Sequence, residues 1–272
     1  MTALTLSALH VYPVKGLKGI DLDVARCTER GLEHDRRWMV VDENGDFLSQ
    51  REMPRMATIW TEIADGALVL SAPDLPSVDV PLDPRPAAPM RVRVWSSTCD
   101  AVPVSPHADA WLSDYLELPC RLVYMPETTR RLSNPDHVKG EKLVGFADAF
   151  AYLVTTEASL ADLNARLETR ALRPVPMNRF RPNLVVRGNG PFAEDDWAEI
   201  RVGGAVLQAA KRCGRCQVTT TDQVTGEVTG PEPLATLSTF HADSKSGPCF
   251  GVNFVSVKAG AVRVGDAVEI LV

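Results

Sequence analysis

The sequence has no long apolar run, no internal repeat and no low-complexity segment. Its longest apolar stretches, such as residues 150–154, fall far short of the roughly 20 residues that a spanning helix needs, so no membrane association is expected. Positive charge is not in excess either: 29 Lys and Arg stand against 35 Asp and Glu, a formal net charge of −6. That balance argues against a general nucleic-acid partner, while leaving room for local basic pockets. Residues 1–15 lack the basic end, apolar run and cleavage site of a secretory signal. Cysteine is sparse, six in 272 residues, and only Cys213 and Cys216 are closely spaced. A disulfide scaffold is therefore excluded, and the cysteines read as thiols in a reducing, cytoplasmic setting.

What is present is an ordinary globular composition, 45% hydrophobic and 24% charged. The length suits one large domain or two closely packed lobes. Short strand patterns dominate. Residues 4–14 read as extended, residues 38–41 and 47–49 as a hairpin about Asp42-Glu43-Asn44-Gly45, and residues 58–63 and 67–70 as a second about Ala64-Asp65-Gly66. Prolines across residues 73–89 predict a surface excursion with no ladder, followed by a strand over 90–95. Trp111, Leu112, Tyr115 and Leu116 recur at helical steps within 108–118. Residues 126–145 read as a long polar loop, of a length that is often functional.

Further on, the spacing predicts a strand over 152–154, a helix over 157–168 capped at Thr155-Thr156, and strands over 184–186, 199–202, 205–209, 251–257, 261–264 and 267–272. The β-branched run 218–221 predicts that residues 216–221 are also a strand. Many short strands with two helices predict a mostly-β α+β protein, barrel-like in its packing rather than built on a Rossmann sheet.

Three constellations could carry chemistry. In Lys211-Arg212-Cys213-Gly214-Arg215-Cys216, neighbouring cations favour thiolate, the form that ligates soft or high-valent metals. Three readings stay open: a zinc site, which lacks a second ligand pair; a thioredoxin-like dithiol, which would need to open a helix; and two structural cysteines. In Phe180-Arg181-Pro182-Asn183, an extended chain would aim Arg181 and Asn183 to one side, a pairing suited to a phosphate or a pterin-like heterocycle. An ordinary surface arginine is the simpler alternative. Tyr12-Pro13-Val14-Lys15-Gly16 sets a lysine in a glycine turn that could meet an anion, without the spacing of a Walker loop. Asp35-Arg36-Arg37-Trp38 and Ser49-Gln50-Arg51 accompany it, and Asp35 could instead form a solvated ion pair.

In chain order, Y-P-V-K-x-x-x-G, D-R-x-W, T-E-A-S-L-A-D-L-N, F-R-P-N, R-C-x-R-C-x-x-T-T-x-D-x-x-T-G and a closing R-V-G-D resemble the MOSC-domain proteins with an N-terminal β-barrel lobe, the YcbX-like and amidoxime-reducing component family. The resemblance spans residues 9–272. It implies an N-terminal β-barrel lobe over residues 1–120 packed on a MOSC β-barrel with short helices over 121–272. It also implies a molybdenum cofactor (Mo-molybdopterin) enzyme that reduces N-hydroxylated small molecules, such as amidoximes and hydroxylamines, to amines.

Carried over by motif, Cys216 is the thiolate ligand of molybdenum and Cys213 a structural neighbour. Lys15, Gly16, Arg36, Arg181, Asn183, Gly214 and Arg215, with Thr156 and Ser159, are implied to hold the pterin and its phosphate. Gly16 stands where relatives often carry serine, leaving only its backbone to serve. Gln223 stands for a common proline and is expected to be tolerated. Asp222 could orient a water or proton, or could cap the Thr225-Gly226 hairpin. No ferredoxin-type C-x₄-C-x₂-C run is present, so a separate electron donor is expected, a ferredoxin, flavin reductase or cytochrome b5-like protein. A cofactor or sulfur carrier without reductase activity, and a Cys213–Cys216 redox dithiol, are the competing classes.

Overall fold

In the computed structural model, which describes residues 3–84 and 87–272, one nine-stranded sheet gathers both ends of the chain. Its strands run in the order Val268–Ile270, Glu199–Val202, Ala205–Gly214, Gly247–Lys258, Tyr152–Thr156, Leu184–Arg187, Thr5–Val11 and Ile20–Leu22, with Ala242–Asp243 paired to Gly247–Lys258 off this path. The pairs are antiparallel except Tyr152–Thr156 beside Leu184–Arg187. A parallel pair needs a crossover, and helix α2 (Glu157–Thr169) supplies it. Thr156 caps α2, its hydroxyl accepting from the Ser159 N–H at 3.1 Å. A single bridge, Thr5 to Ala267, rather than a ladder, links the sheet's far ends. Leu6, Leu9 and Val11 are buried in the same core as Leu207, Val252 and Phe254.

Two further sheets belong to the first half. A five-stranded one runs Met90–Val94, Ser97–Pro103, Arg121–Tyr124, Trp38–Val41 and Val14–Lys15, and a three-stranded one runs Trp60–Ala64, Ala67–Ala72 and Leu75–Pro81. Helix α1 (Pro106–Leu116) starts at a Ser105 cap and buries Trp111, Leu112, Tyr115 and Leu116 against Trp38 and Leu68. The fold is mostly β, of the α+β class. Sequence position and lobe do not coincide, because Thr5–Val11 pairs with Leu184–Arg187, and Val24–Thr28 pairs with Gly260–Arg263.

Four local expectations are corrected. Leu75–Pro81 is a strand despite its prolines, because it is an edge strand paired only with Ala67–Ala72, and an edge needs no N–H on its open side. Residues 85–86 of the same proline-rich stretch lie outside the described residues. A third helix, α3 (Leu234–Phe240), is too short for its periodicity to stand out. Gln217–Thr220 is a 3-10 turn rather than a strand, so Cys216 sits at a bend where the chain leaves the sheet. Arg181 is left-handed, with φ of 53°, so the expected extended alternation with Asn183 is broken.

Candidate functional site

The cysteine motif ends the Ala205–Gly214 strand, and segments from both halves of the chain meet around it in a cavity of about 450 Å³, a size typical of small-molecule sites. Among the described residues, seven lining side chains are basic, Lys15, Arg36, Arg51, Arg181, Lys211, Arg215 and Lys245, against one carboxylate, Asp148. On a chain of net charge −6, this is a local reversal of sign, and it selects for an anionic ligand. Gly16, Asn183, Cys213, Gly214 and Cys216 complete the lining that the sequence motifs anticipated.

Several of these cations are held by the fold. Lys15 is buried on the Val14–Lys15 strand, donates from Nζ to Asp148 Oδ1, and lies 4.9 Å from the centroid of the Phe47 ring. Burial lowers the Lys15 pKa. Burial also pushes the Asp148 carboxyl up, but the Lys15 charge and hydrogen bond outweigh it and leave the group below the usual carboxylate range. The Arg36 and Arg181 guanidinium groups both lie 4.3 Å from the centroid of the Tyr12 ring. Burial draws Arg181 down to about 10 and pushes Tyr12 up to about 12.

Hydrogen bonds set the rest. Asp35 is buried, not solvated: it accepts from the Tyr12 N–H at 2.9 Å and from Arg36 Nη1 at 2.6 Å. Asn183 Oδ1 accepts from Arg36 Nη1 at 3.2 Å and from the Leu153 N–H at 3.1 Å. Arg215 donates to Cys213 Sγ at 2.9 Å and to the Phe180 carbonyl at 2.6 Å, while its buried Nε has no partner. Gly214 approaches the Ser246 carbonyl so closely that an added Cβ would lie 2.6 Å from it. Gly16 takes φ of 84°, and its carbonyl accepts from Gln50 Nε2 at 2.7 Å.

Cys216 is half-buried, with Arg51 Nη2 3.6 Å from its Sγ. Cys213 lines the cavity as well, half-exposed, so it is not a core residue. All six cysteines are free thiols. Among the described residues, no group of three or more His, Cys, Asp or Glu side chains could hold a metal unaided, which removes the zinc reading. A thiol amid cations instead suits a metal whose remaining ligand atoms come from an anionic cofactor. The partnerless Arg215 Nε and the concentration of positive charge fit such a group.

Three motif residues lie elsewhere. Thr156 and Ser159 do not line the cavity; their hydroxyls donate to the fully buried Glu194 at 3.0 Å and 2.7 Å. The hydroxyls are committed to a carboxylate whose pKa burial raises. Asp222 does not line it either. Asp222 Oδ1 accepts from the Val224 and Thr225 N–H groups at 2.8 Å and 3.1 Å, which is the turn-capping role. Sequence reasoning missed Asp148, Lys245 and Asn253, and the one signal for Asp148 was the long loop before it. Buried Arg131 from that loop donates to the carbonyls of Gly145, Ala147 and Asp148 at 2.6, 2.6 and 2.9 Å, fixing the backbone of Asp148.

Comparison with known proteins gives a consistent result. Residues 3–119 match the family described as MOSC N-terminal beta barrel domain, and residues 141–269 match the MOSC domain. Mitochondrial amidoxime-reducing component 1 of Mus musculus is 35% identical over 285 residues, which cover 98% of this chain and 82% of the relative. Component 1 of Xenopus laevis is 34% identical over 97% and 81%, and component 2 of Bos taurus 32% identical over 97% and 82%.

Proposed function

The chain belongs to the amidoxime-reducing component family of MOSC-domain proteins, and from that premise we propose that it is a molybdenum-dependent oxidoreductase acting on N-hydroxylated compounds. The observation that carries the reading is the Cys216 thiol, half-buried in a cation-lined cavity on an acidic protein. The reaction balances as R–NHOH + 2e⁻ + 2H⁺ → R–NH₂ + H₂O, and an amidoxime gives its amidine in the same way. When bound, the molybdenum cofactor supplies the two-electron reducing centre for N–O cleavage.

The residues divide the remaining work. Cys216 is the ligand to the metal. Lys15, Arg36, Arg181 and Arg215 balance the charge of the pterin phosphate, and Asn183 orients Arg36 through Oδ1. Gly214 lets the chain pass close to the Ser246 carbonyl because it carries no Cβ, and Gly16 takes the left-handed backbone of its turn, which leaves both peptides on the cavity wall. Burial lowers the Lys15 pKa, and the Asp148 carboxylate, accepting a hydrogen bond from Nζ, opposes that shift. Burial of these cations reduces competing water and strengthens their attraction for an anion.

Electrons come from a separate donor protein, of the ferredoxin, flavin reductase or cytochrome b5-like kind. No helix among the described residues is long and apolar enough to cross a membrane. A cytoplasmic, reducing location is part of the proposal, supported by the six free thiols. The test is to purify protein made with cofactor supply, measure molybdenum, and assay benzamidoxime reduction with a competent donor. Bound molybdenum with amidine formation is expected. Molybdenum without turnover across several donors would describe a carrier, and absence of molybdenum would overturn the reading.

A further inference from the structure

A second cleft of about 470 Å³ adjoins the cavity on the N-terminal lobe, lined by Asp46, Phe47, Arg93, Trp95 and Ser96. Phe47 lines both spaces, so the two share a wall. The Phe47 and Trp95 rings meet edge to face, with centroids 5.0 Å apart. Arg93 is paired with Asp46, which leaves the cleft without net charge beside a strongly cationic cavity.

Trp95 is held there in an unusual way. It begins the two-residue loop between Met90–Val94 and Ser97–Pro103, with φ of 57°, a region that a bulky side chain rarely occupies. Its side chain nevertheless stays 46% exposed. Two contacts aim it, and the second leads on to the thiol. Its indole N–H donates to Asp148 Oδ1 at 3.1 Å, the oxygen that also receives Lys15; the Arg51 guanidinium lies 4.2 Å from its ring centroid; and Arg51 reaches to 3.6 Å from Cys216 Sγ. A strained, exposed aromatic tied by two bonds to the reactive cavity is better suited to a ligand than to core packing.

We propose that Phe47 and Trp95 form the substrate shelf of the enzyme, which receives the planar body of a neutral aryl or heteroaryl N-hydroxylated compound, while Arg51, stacked on Trp95, fixes the shelf relative to Cys216. This rests on the reductase reading. A neutral ring avoids repulsion from the cavity's cations and gains stacking on Trp95. A small aliphatic amidoxime has no group to place there. The shelf therefore selects among substrates.

The experiment compares benzamidoxime with acetamidoxime in the molybdenum-loaded protein. Trp95→Gly, which also relieves the left-handed backbone, should lower the ratio of the two kcat/KM values about tenfold, and Trp95→Phe should restore most of it. Trp60→Phe, an exposed tryptophan distant in sequence from the shelf, should leave the ratio unchanged. Separately, without an electron donor, benzamidoxime should quench tryptophan fluorescence in the wild type and in Trp60→Phe, and not in Trp95→Phe. An unchanged ratio in Trp95→Gly, or no loss of quenching in Trp95→Phe, would overturn the shelf. A wild type that reduces neither compound would instead overturn the reductase reading.

Discussion

Gln50 and Gln223, 173 residues apart, pair through their side-chain amides: Gln223 Nε2 donates to Gln50 Oε1 at 2.9 Å, and Gln50 Nε2 donates to Gln223 Oε1 at 3.3 Å. Both are almost fully buried, and Gln223 Oε1 also accepts from Arg181 at 3.3 Å. Gln223, expected to be a tolerated replacement for proline, is thus part of the bracing of Gly16 and Arg181.

Gln223→Ala strands the Gln50 amide in the interior. A loss of about 1–3 kcal/mol is expected in urea unfolding, the cost of an unsatisfied buried polar group. The Gln50→Ala, Gln223→Ala double variant should lose less than the sum of the two singles, because they remove one shared interaction.

Cys216→Ala and Cys213→Ala separate the two thiols. Elemental analysis should find molybdenum lost from the first and largely retained by the second. Full molybdenum content and turnover in Cys216→Ala would remove its assignment as ligand.

His241 gives the stability a pH dependence. Burial lowers its pKa, but the Asp195 carboxylate at 2.7 Å and the Cys249 carbonyl at 2.8 Å face its two nitrogens and carry the net above the ordinary value. The protonated ring is favoured by folding, so this contribution is complete below the unfolded pKa of about 6.5 and is lost as pH rises through the folded value. Unfolding midpoints measured upward from about pH 6 should fall in the wild type and stay flatter in His241→Asn.

Asp148 has the opposite sign. Its depressed folded pKa contributes stability above the unfolded value of about 3.9, lost as pH falls through the folded one. In Lys15→Met the carboxyl should titrate at a higher pH, visible in NMR of its side-chain carbon, and acid unfolding should begin earlier. Unaltered titration would show that Lys15 is not what holds the charge.

The sequence was legible where a residue's role is local. Gly45 and Gly66 mark turns because positive φ suits glycine, and Trp111 to Leu116 repeat at helical steps because one face is buried. The capping alternative for Thr156 and for Asp222 was likewise readable, since a cap engages neighbours within three residues. Cys216 and the cations stood out as motifs. The partners that aim them did not: Asp148 meets Lys15 across 133 residues, and Arg51 meets Cys216 across 165. The proline after Arg181 predicts an extended chain, whereas its bonds to the Leu17 carbonyl and to Gln223 hold it left-handed.

The pairing of Thr5–Val11 with Leu184–Arg187, and of Val24–Thr28 with Gly260–Arg263, also governs when the protein can fold. On the ribosome the first strands emerge long before their partners are made. Their apolar residues must wait in an unfinished state, a period of aggregation risk that shorter-range topologies avoid. Cutting the chain near residue 120 would make that wait permanent, since each fragment would keep strands whose neighbours lie in the other.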